Sequence, residues 1–216
     1  VYRNVCTNFW SQKSLIVSGE LEMSATAIRI GKLDAARRQL RTAITLWFND
    51  GDPVSVHALA YAAYEVIHAI SKRRDPNRRD LLFDSVLVKD EYRREFNATI
   101  RKHANFFKHA DKDGDSVIEF NPALSELFIL FAILGRELCG EPPSDEESIF
   151  LWWLKIHKPH ILTERGRQVV ADNIPMDSLE HCRTLAKHEF FEVGIEARRA
   201  IQKRGTAVRR YSVRLP

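Results

Sequence analysis

Two stretches of helical spacing are joined by only four residues, NDGD, at 49–52. Before the break, Ile30, Leu33, Ala36, Leu40, Ala43, Ile44 and Trp47 recur every three or four positions, which predicts a helix over 24–49. After it, Leu59, Ala62, Ala63, Val66, Ile67 and Ile70 do the same, which predicts a second helix from Pro53 to about Ser71. Asp52 suits the N-cap and Pro53 the first helical position. A link this short forces the two helices to be antiparallel neighbours, so the chain is committed early to a helical bundle.

Later segments extend the pattern. Tyr92, Phe96, Ile100, Phe106 and Phe107 give helical spacing over 90–108. Asn121 and Pro122 repeat the cap-plus-proline start for a helix ending at Leu138, before Gly140. Ser144 and Glu147 form a capping box for a helix containing IFLWWLKI. A further helix is expected from near Asp177 to about Lys203, while LLFDSVLV at 81–88 reads equally as helical turn or strand. The predicted class is all-α: an up-and-down bundle of roughly six helices with additional C-terminal helices. The expected organisation is an extension at 1–22, a bundle at 23–140, a helical extension at 141–203 and a basic tail at 204–216.

With 44% hydrophobic and 29% charged residues among 216, the chain can bury a core without disulfides. Cys6, Cys139 and Cys182 are widely spaced and form no CxxC pair, which fits a reducing, cytoplasmic setting. The longest apolar run in the first twenty residues, LIV, is too short for a signal peptide. LFILFAIL at 127–134 is too short for a bilayer, which needs about 20 residues. No membrane partner is expected. The net charge of +4 is uneven: KRRDPNRR at 72–79 and the acid-free stretch 197–216 are both basic. Arg73, Arg74, Arg78 and Arg79 are therefore candidate phosphate contacts.

The stretch NFFKHADKDGDSVIEF at 105–120 has two readings. As a calcium loop, Asp111, Asp113 and Asp115 fill positions 1, 3 and 5, Val117 offers a carbonyl at 7, and Glu119 stands at 9. Position 6, where glycine makes the sharp turn, is Ser116, and position 12, where a bidentate Glu belongs, is Pro122. Such a set would bind calcium no more tightly than about millimolar, so DKDGDS reads first as a polar turn. Glu65 and His68 spell one E-x-x-H without the second copy that a di-iron bundle requires. With no glycine-rich phosphate loop, G-x-S-x-G or H-E-x-x-H, no cofactor is expected.

The second reading rests on Asn105 and His109, four apart at the end of a helix. The sequence A-N-F-F-K-H resembles the R-N-x-x-x-H motif of the HEPN superfamily (higher eukaryotes and prokaryotes nucleotide-binding domains). The hairpin WFNDGDPVSVHALAYAAYEVI at 47–67 is similar to that family's first helical pair. The resemblance covers about 24–139 and implies an up-and-down bundle, often dimeric, with metal-independent RNase activity in many members. It places Asn105 and His109 in the catalytic pair, His109 as proton donor or acceptor. The motif's arginine, which works with the histidine on the RNA phosphate and 2′-hydroxyl, is Ala104 here. Arg101, one turn earlier, and Lys108, beside His109, are the cations available to replace it. The expected partners are RNA and a second copy of the chain, with RNase chemistry lost or uncertain. The alternative is a non-catalytic interaction module using the Trp152–Trp153 helix and the C-terminal helix as its contact face. His57, Tyr61, Tyr64 and His68 form a polar-aromatic stripe on the second helix, expected to be a half-buried packing face or the lining of a cleft facing His109.

Overall fold

The computed structural model describes residues 27–109 and 114–212, with side chains as far as Lys203. The chain divides after Ile30, and residues 31–216 form the unit considered below. Among the described residues there are eight α-helices and no strand. They are α1 (Lys32–Phe48), α2 (Pro53–Arg74), α3 (Arg93–Lys108), α4 (Ala123–Leu138), α5 (Asp145–His157), α6 (Glu164–Asn173), α7 (Met176–Thr184) and α8 (Lys187–Ser212). None is long and apolar enough to cross a membrane, among the described residues.

Four sequence expectations need correction. The first helix begins at Lys32 rather than 24, because Gly31 is its extended N-cap. The ambiguous segment 81–88 resolves as a short 3-10 turn, Leu82–Asp84, that buries Leu82 and Phe83. The expected helix 177–203 is two helices, broken at Leu185 and Ala186, and α6 precedes them. The break is capped by Glu189, whose carboxylate accepts the Ala186 N–H at 2.8 Å. The second of these helices runs to Ser212, so the tail expected from 204 is helical through that residue.

Of the helix starts read from sequence, two are present as read, while at the third Pro122 rather than Asn121 is the N-cap of α4 and Asn121 Oδ1 accepts the Ala123 N–H at 3.0 Å. Asp52 accepts the Ser55 N–H at 2.7 Å, and Asp50 takes a left-handed φ of 48° in the turn before it. Ser144 and Glu147 exchange their two capping bonds. Gly140, at φ +80°, ends α4 in the conformation a glycine adopts without strain.

The core lies around α2. Leu40, Ile44 and Phe48 of α1 and Phe128, Ile129 and Ile133 of α4 are buried with α2's Ala60, Tyr64 and Ile67. Close approach of α2 to α4 depends on Gly135, where an added Cβ would stand 2.6 Å from Ile67 Cγ2. Trp47 joins this core to α5 through edge contacts with Phe150 and Trp153, at 5.2 and 4.7 Å between centroids. Glu147 does a second task beyond its cap: with Arg136 of α4 it makes a buried ion pair that ties α4 to the start of α5. Arg136 also reaches Glu141 at 3.0 Å. Burial pushes the Glu147 carboxyl up.

Candidate functional site on helix α3

The inner face of α3 fixes which of its residues meet solvent. Ile100 and Ala104 are buried, and Phe96 packs against the core beside them. One turn further, Phe107 and His103 close over His57 of α2. Their ring centroids lie 5.8 and 6.2 Å from that of His57, and Phe120 and Phe128 complete the enclosure at 4.9 and 5.4 Å. His57 Nδ1 is 3.3 Å from Ser125 Oγ, and its Nε2 has no hydrogen-bond partner among the described residues. Burial, with His103 close by, pushes the His57 pKa down to about 4, so this ring is neutral at ordinary pH. His103 Nε2 donates to the Glu119 carbonyl at 2.9 Å and so holds the chain entering α4 against α3.

The polar-aromatic stripe of α2 is therefore enclosed more fully than a half-buried face. His57, Tyr61 and Tyr64 are buried. Tyr64 Oη accepts the Phe83 N–H at 3.0 Å, and burial raises its hydroxyl above the usual range. Tyr61 donates to Glu65 at 3.0 Å and is raised for the same reason, with Glu65 adding to it. Only His68 reaches the rim, 2.8 Å from Asp84. Burial works to raise Asp84, but His68 and Lys72 outweigh it and hold the carboxyl below its ordinary value.

With Ala104 turned inward, Asn105 faces solvent. His109 is the C-cap, extended at φ −128° and ψ 124°, beyond the last helical residue. Both side chains are exposed and neither has a partner among the described residues. Arg101 does not join them. Its guanidinium lies 4.1 Å from the Phe83 centroid, on the core side of α3. Lys108 also turns toward α2, 4.7 Å from the Tyr61 centroid and 3.8 Å from Glu65. The motif's residues are thus distributed over two sides of one helix. The exposed side carries two cations that sequence reasoning passed over, Arg94 and Lys102. In the row Arg94, Ala98, Lys102, Asn105 the spacing is four, four and three, which is one helix face, and His109 follows just past the end of the helix. Arg94 and Lys102 are exposed with no ion pair among the described residues. Glu91 and Glu95 stand near the start of this row. The spacing was available from sequence; which face of α3 docks on α2 was not.

The 72–79 cluster is largely consumed by the fold. Arg74 donates to the Cys139 carbonyl at 2.6 Å and Arg78 to the Leu138 carbonyl at 3.0 Å, capping the end of α4. Arg79 pairs with Asp90. Arg73 is exposed with no partner among the described residues.

Of the calcium-loop candidates, Asp111 and Asp113 lie outside the described residues, while Asp115 and Glu119 are exposed. Ser116 does not adopt the left-handed conformation that position 6 requires. Among the described residues no group of three or more His, Cys, Asp or Glu side chains is placed to hold a metal ion.

No protein-family model matches the chain, and no curated protein and no solved structure matches it.

Proposed function

We propose that this chain is a HEPN-like helical bundle that holds single-stranded RNA along the outer face of α3 without cleaving it. The observation that carries the reading is the row Arg94, Lys102 and Asn105 on one face of α3, with His109 just past its end, all four exposed and unpartnered among the described residues. From Arg94 to Asn105 the row covers about 16 Å of helix, room for two or three phosphates. The two cations supply sequence-independent attraction, and Asn105 adds a hydrogen-bonding group. Cleavage would need a cation beside His109 to stabilise charge on the reacting phosphate. Ala104 is buried where the family has arginine, Arg101 lies over Phe83 and Lys108 over Tyr61.

Fluorescence anisotropy with a labelled single-stranded RNA tests this at about 50 and about 200 mM salt, where phosphate contacts weaken steeply. The expected result is salt-sensitive binding, with the log–log slope reduced by about 1.4 in Arg94→Ala/Lys102→Ala and the RNA left intact. No binding at the lower salt, or binding that the double variant leaves unchanged, sinks the reading. RNA cleavage that His109→Ala abolishes would restore catalysis. A second reading, a helical interaction module, is favoured by one observation: α8 leaves an apolar face uncovered.

A further inference from the structure

Helices α5, α6 and α7 line a cavity of about 260 Å³, to which α3 contributes no residue. The local sequence makes room for it. Pro159 opens a short 3-10 turn after α5, and Ile174 and Pro175 separate α6 from α7. Three short helices replace one long one, and both α6 and α7 pack on α5. The floor between them is apolar. Val170 of α6 and Leu179 of α7 line the cavity and are buried, and Leu162 and Ile174 beside them pack against the core. Met176 lines it too but is 65% exposed, so the cavity reaches the surface there.

The charged side chains that line this cavity all have one sign. Lys155 of α5, Arg167 of α6 and Arg183 of α7 line it, and among the described residues no aspartate or glutamate does. Arg167 is taken up by the fold: it donates to the Leu162 carbonyl at 3.0 Å and pairs with Glu164 at 2.6 Å. Lys155 and Arg183 are not. Neither has an ion-pair partner among the described residues, and Lys155 Nζ lies 4.7 Å from the Trp152 centroid. Two uncompensated cations beside an apolar hollow are complementary to a molecule with one anionic end and one apolar end. A guanidinium matches a carboxylate in particular, through two parallel N–H donors. A methylene takes about the room of a water molecule, roughly 30 Å³, so the space suits a chain of about eight carbons.

We infer that the cavity between α5, α6 and α7 binds a small aliphatic carboxylate, its chain on Val170 and Leu179 and its carboxylate held by Lys155 and Arg183. Isothermal titration calorimetry of the full chain with octanoate tests this, beside octanol, which lacks the charge, and acetate, which lacks the chain. Octanoate is expected to bind saturably at one site per chain, at least about tenfold more tightly than octanol or acetate. Lys155→Gln/Arg183→Gln should bring octanoate down to the affinity of octanol and leave octanol itself unchanged, a pattern that a general loss of structure does not produce. Ala171 lines the cavity and is exposed, so Ala171→Phe fills the space without entering the core. It should abolish the uptake of octanoate and of octanol, with circular dichroism matching the parent. A parent that takes up no octanoate overturns the inference, and so does octanol bound as tightly as octanoate. Octanoate binding that neither variant weakens overturns it as well, as adherence elsewhere on the surface.

Discussion

Helices α2 and α8 are the two longest among the described residues and solve opposite packing problems. Across 22 residues α2 is covered by α1, α3 and α4, and it buries polar side chains along with apolar ones. As far as Lys203, the 26-residue α8 has α5 on one side, with the edge of α1, and exposed side chains on the other. Both carry alanines, five in α2 and three in α8, yet these do different work. Ala60 and Ala63 of α2 are buried where neighbouring helices crowd in, whereas Ala197 and Ala200 of α8 are exposed. The lesson is that composition sets how closely a helix can be approached, while its neighbours decide whether it is. The same holds for polar groups: a tyrosine or histidine on α2 must find a partner inside the fold or remain neutral, and one on α8 need not.

This contrast breaks most visibly at low pH. In the fold His57 stays neutral down to about pH 4, whereas an unfolded histidine takes up its proton near 6.5. Between those values the unfolded chain binds more protons, so stability is whole above pH 6.5, falls as the pH drops, and levels off below 4. The loss attributable to His57 reaches roughly 3 kcal/mol at its limit. Urea unfolding at pH 7 and at pH 4.5 should show most of that difference in the parent and much less in His57→Gln. Equal pH dependence in both proteins would show that another group is responsible. Next in size is Tyr64→Phe, which leaves the Phe83 N–H buried without its acceptor and should cost about 2 kcal/mol in the same assay. A change below a few tenths of a kcal/mol would mean that this N–H finds another partner.

What was legible in the sequence follows the same division. Local signals were read correctly: the Asp52–Pro53 and Ser144–Glu147 starts, the Gly140 stop, and the all-α class. Long-range pairings were not. Arg74 and Arg78 looked like free phosphate contacts because nothing local shows that the carbonyls of Leu138 and Cys139 end beside them. Nothing local marks Arg136 as buried, and its pairing with Glu147 depends on where α5 returns to α4. The break between α7 and α8 has no glycine or proline to mark it, only Glu189 accepting the Ala186 N–H. At the candidate site, the pairing of Asn105 with His109 came from their spacing of four and from the resemblance to the R-N-x-x-x-H motif. Arg94 and Lys102 emerged once Phe96, Ile100, Ala104 and Phe107 had shown which side of α3 faces inward.

The sharpest comparison sets two glycine crossings against each other. Gly135 seats α4 on α2 and Gly194 seats α8 on α5. In both cases an alanine Cβ would press on a buried isoleucine, at 2.6 Å from Ile67 Cγ2 and 2.9 Å from Ile149 Cγ1. Each substitution also gains up to about 1 kcal/mol in helix propensity, since both glycines lie inside helices. Overpacking costs about 1–3 kcal/mol where neighbours cannot yield. Ile67 is enclosed on all sides, so Gly135→Ala should be destabilised by about 1 kcal/mol net. Among the described residues no second helix packs on the outer side of α8, which can shift outward, so Gly194→Ala should come out near zero in stability. That outward shift is still measurable. It moves Arg198 and Gln202 away from Asp145, so amide hydrogen exchange in α8 around these residues should quicken in Gly194→Ala while the melting temperature stays almost unmoved. Equal destabilisation by the two alanines would mean that α8 is held as rigidly as α2, and the contrast between the two helices would fail.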